Sequence, residues 1–261
     1  MAGSTAVVPC TGSWSTLRWL LERGGRRALT RIVLPLLVVA GVAWTLTARA
    51  GHLGDGSFAG FLAAWGLRMT AMMLPAVAPV VALYAMAVRR SVVAAVPFFL
   101  GGYLLVWVAS GLPAYLVARR VSEPLMAGAP WVARLTGVAL LAAAGYQLSP
   151  LKSVCLRACR SPMSFFLGQS GSLRRPAAAF AAGSRHGVYC LGCCWALMAV
   201  LVVLGGMQLG WALALAVVIA TEKLLPWGPA VTRSVAALAG TFGLALLLVP
   251  SLLDHLVVPP M

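Results

Sequence analysis

Acidic residues are scarce: five Asp and Glu stand against 20 Lys and Arg in 261 residues. So few carboxylates leave no Asp/Glu pair for acid–base catalysis. Charge of either sign is also sparse, at 10% of the chain, beside 61% hydrophobic residues and a mean hydropathy of +0.94. A soluble domain normally carries about 25% charged residues, so a soluble globular fold is excluded. Strand-type alternation is missing, which excludes a membrane β-barrel. Dinucleotide-binding, P-loop and Cys-x-x-Cys-His haem motifs are missing too. The net charge of +15 does not point to nucleic acid. Its basic residues flank apolar runs instead of forming a patch with interleaved aromatics.

What remains is a series of apolar runs near or beyond the ~20 residues that cross a bilayer. Helices satisfy their own backbone hydrogen bonds in lipid, so the expected fold class is all-α, a polytopic transmembrane helical bundle. Its spans read as 32–49, 58–88, 91–118, 131–149, a fifth ending near 207, 209–227 and 233–253. The count is about seven, or six if span one is lost. The fifth starts somewhere between 176 and 187. Prolines 75 and 79 give span two places to kink, and Pro97 and Pro113 do so for span three. Residues 32–253 form one transmembrane domain, including a basic cysteine-containing loop at 150–176. A basic lead-in (1–31) precedes it and a short tail (254–261) follows. The lead-in is long for a signal peptide, so span one reads as a retained anchor. Cys10 precedes the first apolar run and is not placed like a lipoprotein cysteine. No internal repeat is evident.

Charge sets the orientation. With the N-terminus inside, fifteen Lys and Arg fall on inner segments and three (Arg49, Arg119, Arg120) on outer loops, while Arg68 and Arg134 lie within spans. The excess of inner basic residues predicts a cytoplasmic N-terminus and, with seven spans, an outer C-terminus.

The cysteines are few but concentrated. HGVYCLGCCWALM (186–198) holds three of the six. Projected on a helix, Cys190, Cys193 and Cys194 occupy a sector of about 100°. His186, Cys190, Cys194 and Met198 follow i, i+4 spacing, a ladder of about 18 Å. Gly187 is a point where the helix could break, which would remove His186 from it. Snorkelling or a structural hydrogen bond is the rival use of His186. Upstream, CLRAC sets Cys155 and Cys159 at i, i+4 on the same cytoplasmic side. A lone membrane cysteine is packing. Five at one edge favour metal or redox use, and the reducing cytoplasm disfavours disulfides. Thiolates suit Cu(I), zinc or iron–sulfur chemistry. Lys152, Arg157, Arg160 and Arg185 are available to compensate thiolate charge.

Met69, Met72 and Met73 share one face of span two at a depth near Met198. Thioethers prefer Cu(I). Ordinary gap-filling is the stronger reading for these methionines from sequence alone. Arg68 lies inside span two and is either a functional intramembrane charge or a snorkelling one. Glu222 reads first as a partner of Lys223 or of a basic-loop arginine. The sharper alternative makes it an outer-sphere partner of the cysteine site. Tyr146 and Gln147 end span four at the same edge, and meet that site if spans four, five and six are neighbours.

The runs AMMLPAVAP (71–79), GYQLSPLKSVCLRACRSP (145–162), GVYCLGCCWALM (187–198) and EKLLPWG (222–228) resemble a bacterial family of predicted metal-binding integral membrane proteins with a Cys-x2-Cys-Cys-Trp motif. The resemblance covers roughly residues 60–230 and implies metal binding. Members often carry a further methionine after the second proline of the Met-rich run, where this chain has Val80.

The function expected is that of an integral membrane protein that binds, delivers or transports a soft metal, foremost Cu(I). Its partners are then the bilayer, the metal ion and a metallochaperone or membrane enzyme. A membrane thiol or metal oxidoreductase is one alternative; Cys193–Cys194 is a vicinal pair, but Cys155 and Cys159 lack Cys-x-x-Cys spacing. A zinc-stabilised membrane scaffold or assembly factor is the other. An enzyme is the less favoured reading.

Overall fold

A computed structural model of the chain describes residues 29–49, 57–88, 92–127, 129–160, 175–204 and 208–253. Cys10, most of the lead-in, Arg89, Arg90, Arg174 and the 254–261 tail lie outside the described residues.

The fold is all-helical, and no strand forms among the described residues. A π-helical turn, Leu29–Val33, leads into α1 (Leu34–Arg49). Then come α2 (Phe58–Val88), α3 (Val92–Ala109), α4 (Gly111–Met126) and α5 (Pro130–Gln147). A short α6 (Pro150–Arg160) precedes α7 (Pro176–Val203), α8 (Leu209–Leu224) and α9 (Gly228–Leu248). Proline stands at or beside the first position of α5, α6, α7 and α9, where its missing N–H costs no helical bond.

Five stretches are long and apolar enough to cross a membrane: Thr30–Arg49, Phe58–Val88, Ala94–Leu125, Pro176–Val203 and Gly228–Leu248. The apolar segments expected at 131–149 and 209–227 form α5 and the 16-residue α8. Residues 91–118, expected as one span, fall largely within the single apolar stretch Ala94–Leu125, which has a turn at Ser110 between α3 and α4. Pro113 has no N–H to donate to the carbonyl of Ala109, so the ladder is interrupted there. Span five starts at Pro176, the early end of the expected interval, and the helix runs through Gly187 without a break. Gly187 faces α3, where an added Cβ would stand 3.1 Å from the Tyr103 carbonyl and from Val106. Tertiary packing therefore holds the helix across a residue that would weaken it alone.

Burial divides the helices. In their most apolar stretches α2 is 78% buried and α7 67%, against 22–39% for the other three long stretches. So α2 and α7 form the interior. Outward-facing Leu37, Val38, Val42, Leu105, Leu116, Leu213, Val217, Leu238 and Leu248 leave the periphery apolar. A soluble monomer does not expose that much apolar surface, whereas lipid accepts it.

α7 packs against α3, α4, α5, α6 and α8. Its closest approach is to α3. A Cβ on Gly183 would collide with the Phe99 carbonyl, and one on Gly102 with the carbonyl of Phe180. Two glycines thus let the backbones touch, the small-residue solution common to membrane helix pairs. This fixes α7 against α3 at the level of the cysteines.

Candidate metal centre

The thiols of α7 face inward. Cys190, Cys193 and Cys194 are all buried, and so is Cys159 of α6. Cys193 Sγ (3.1 Å) and Cys194 Sγ (3.0 Å) both donate to the Cys190 carbonyl one turn earlier. Cys190 Sγ looks elsewhere: Tyr103 Oη of α3 lies 3.0 Å away, and Lys223 Nζ of α8 donates to it at 2.9 Å. From α6, Cys159 Sγ stands 4.0 Å from Cys193 Sγ. The i, i+4 pair on α6 therefore faces α7 as its helical spacing requires.

Cys155, one turn before Cys159, is half-buried against Gly192. A Cβ at position 192 would come within 2.9 Å of Cys155 Sγ, so glycine makes room for the thiol. All five described cysteines are free thiols. Burial, then the neighbouring Cys193, pushes the Cys155 thiol above its ordinary range. Cys159 is pushed up further, by hydrogen bonding to the thiols of Cys190 and Cys193 and then by burial. Both α6 thiols are therefore protonated at neutral pH. No group of three or more His, Cys, Asp or Glu side chains among the described residues is in place to hold a metal ion.

His186 stays in the ladder, one turn before Cys190. It is buried, with its ring 6.2 Å from that of Phe99 and 6.0 Å from that of Tyr103. Met198, Met69, Met72 and Met73 are buried in one continuous core with Cys159, Cys190, Cys193 and Cys194. Arg68 is buried in the same helix as the three methionines, so it does not snorkel.

Tyr146 donates to the Gly192 carbonyl and packs edge-on to Trp195 at 5.1 Å, bracing the cysteine turn from α5. Gln147 Nε2 donates to Glu222 Oε1 at 3.0 Å. Lys152 Nζ donates to Glu222 Oε2 at 2.7 Å and also to the Gln147 amide oxygen. So α5, α6 and α8 meet in a buried polar knot.

Two charge pairings differ from expectation. Glu222 pairs with Lys152, not with Lys223 or a basic-loop arginine. Successive helix residues point about 100° apart, so Glu222 and Lys223 diverge to different partners. Nor do the expected basic residues surround the thiols. Lys152 is taken by Glu222, and Arg160 Nη2 donates to the Leu225 carbonyl at 2.6 Å. Arg157 and Arg185 point outward. Among the described residues the cation that reaches a thiol is Lys223, expected from the sequence only as a partner of Glu222. Its signal was there: a lysine inside an apolar run, beside a carboxylate. Tyr103 carried no signal, because only the α3–α7 crossing brings it to Cys190.

Comparison with curated proteins and with solved structures gives no match. A family model described as "PpoB2: Copper chaperone" matches residues 62–246, which contain every side chain of the centre described above. That match covers well over half of the sequence, and the chain belongs to the PpoB2 copper-chaperone family.

Proposed function

We propose that this chain is an integral membrane copper chaperone that binds Cu(I) through thiols at the contact of α6 and α7, near the cytoplasmic face. The observation that carries this reading is the convergence of Cys159, Cys190, Cys193 and Cys194 in one buried core beside Lys223. Four thiols need not be gathered there for packing alone. Soft thiolates select Cu(I), and Cu(I) is satisfied by two of them, whereas a structural zinc site takes four ligands. With no group of three or more in place among the described residues, a pair of these thiols across α6 and α7, such as Cys159–Cys190, is the natural acceptor. Half-buried Cys155 serves as the outermost thiol, with His186 an accessory ligand. The thioethers of Met198, Met69, Met72 and Met73 offer a second soft surface further along the same core. Tyr146, Gln147 and Glu222 hold the elements in place.

A competition titration tests this. Detergent-solubilised protein is titrated with Cu(I) against a chromophoric Cu(I) chelator, wild type beside Cys159→Ser and Cys155→Ser. The expected result is tight Cu(I) binding, lost in Cys159→Ser and weakened less in Cys155→Ser. Binding equal in all three proteins contradicts the assignment.

One observation favours a redox role as a second reading: Cys159 and Cys193 are close enough to approach disulfide distance after a small shift. Thiol counting before and after a mild oxidant separates the two. A stable all-thiol state supports metal handling alone.

A further inference from the structure

We propose that Lys223 is a fixed counter-cation that makes the thiol site selective for monovalent over divalent soft metals. This rests on the reading of the thiols as a metal site. Lys223 is 4% exposed, at the inner end of an apolar helix. A buried ammonium is tolerated only with a compensating partner. The adjacent carboxylate is not that partner, because Glu222 is occupied by Lys152 and Gln147 on the other side of α8. Lys223 Nζ is instead 2.9 Å from Cys190 Sγ, and Tyr103 Oη approaches the same sulfur at 3.0 Å. A lysine and a tyrosine from two different helices thus converge on one thiol. The positive charge is built into the wall of the centre.

The charge balance decides which ion fits. Two thiolates, Cys190 being one of them, and a monovalent ion make a complex of charge −1, which the ammonium neutralises. Any proton still held by either ligating thiol leaves to solvent as the metal enters. Two thiolates and a divalent ion make a neutral complex, which leaves the ammonium uncompensated in a buried site. A divalent ion regains neutrality only by recruiting a third thiolate, and no group of three is in place among the described residues. Repulsion between one extra unit charge and an ammonium a few ångströms away, at the screening usual inside proteins, corresponds to roughly a hundredfold or more in preference. A lysine that merely donated a hydrogen bond to Cys190 would affect both classes of ion alike.

Ag(I) and Cd(II) provide the test, since both are thiophilic and neither changes oxidation state. Their relative affinity for the full-length solubilised protein is measured against dithiothreitol, two thiols without a neighbouring cation. Wild type is expected to favour Ag(I) over Cd(II) by roughly a hundredfold more than dithiothreitol does. Lys223→Met, and Lys223→Gln, which keeps a neutral donor, should lose that excess, while Lys223→Arg keeps it. A wild-type preference equal to that of dithiothreitol overturns the proposal even if no variant folds. An unchanged ratio in folded Lys223→Met or Lys223→Gln does so as well. Wild type that takes up neither Ag(I) nor Cu(I) instead overturns the thiol site itself.

Discussion

At the scale of single residues, the thiols set the behaviour of the centre. Burial and hydrogen bonding to neighbouring thiols hold Cys159 as a neutral thiol, so on the proposed reading Cu(I) displaces a proton from it. Affinity should therefore fall as pH drops and rise as pH increases towards the raised titration point of the thiol. Protons should be released on metal addition in unbuffered solution. A flat affinity between mildly acid and mildly alkaline pH would contradict Cys159 as a ligand. Loss of a first ligand should cost more than the ~10–100-fold typical of losing an outer-sphere contact. Cys159→Ser is accordingly expected to exceed Tyr146→Phe in effect, as read by chelator competition. Much at this scale was legible in sequence, because helical periodicity alone puts Cys190, Cys193 and Cys194 in one sector. Their common burial follows that projection. Partner choice was not legible. Lys223 reaches Cys190, and Lys152 reaches Glu222, across gaps in sequence that periodicity does not bridge.

At the scale of elements, two contacts position the centre. The first is the α3–α7 crossing, where Gly183 lies against the backbone of Phe99. Gly183→Ala forces the helices apart and should destabilise the fold by about 1–3 kcal/mol, the usual cost of overpacking. A lower thermal midpoint together with weaker Cu(I) binding is expected; an unchanged midpoint would show that the crossing is not tight. The second is the knot of Gln147, Lys152 and Glu222 joining α5, α6 and α8. Lys152→Met leaves a buried carboxylate unpaired and should cost about 3–5 kcal/mol. Lys152→Met/Glu222→Leu should recover most of that loss in thermal unfolding, since neither charge then remains buried alone. A double variant no more stable than the single would argue against the pair. Most helix locations follow from apolar runs, with starts marked by Pro130, Pro150, Pro176 and Pro229. The turn at Ser110 follows from Pro113, one of the expected kink points of span three, whereas the passage through Gly187 did not follow. In the first, Pro113 removes a donor inside an unbroken apolar run. In the second, packing against Tyr103 and Val106 overrides the weak helix preference of glycine.

At the scale of the whole molecule, α2 and α7 form an interior wrapped by helices with apolar outer faces. Cysteine and methionine side chains share that interior. The distribution of Lys and Arg predicts that the cysteine end faces the cytoplasm. A membrane-impermeant thiol reagent should therefore label Cys155 from the inner side of oriented vesicles and not from the outer. Labelling from the outer side alone would reverse the topology and the direction of copper entry. The buried thiols of α6 and α7 are proposed to hold copper. Mass-spectrometric metal analysis tests this most directly, on protein purified from copper-supplied cells without added metal, beside Cys190→Ser/Cys194→Ser. Copper in fixed proportion to wild-type chain, and its loss from the folded variant, is the expected result. Equal copper in both, or zinc in its place, would contradict it.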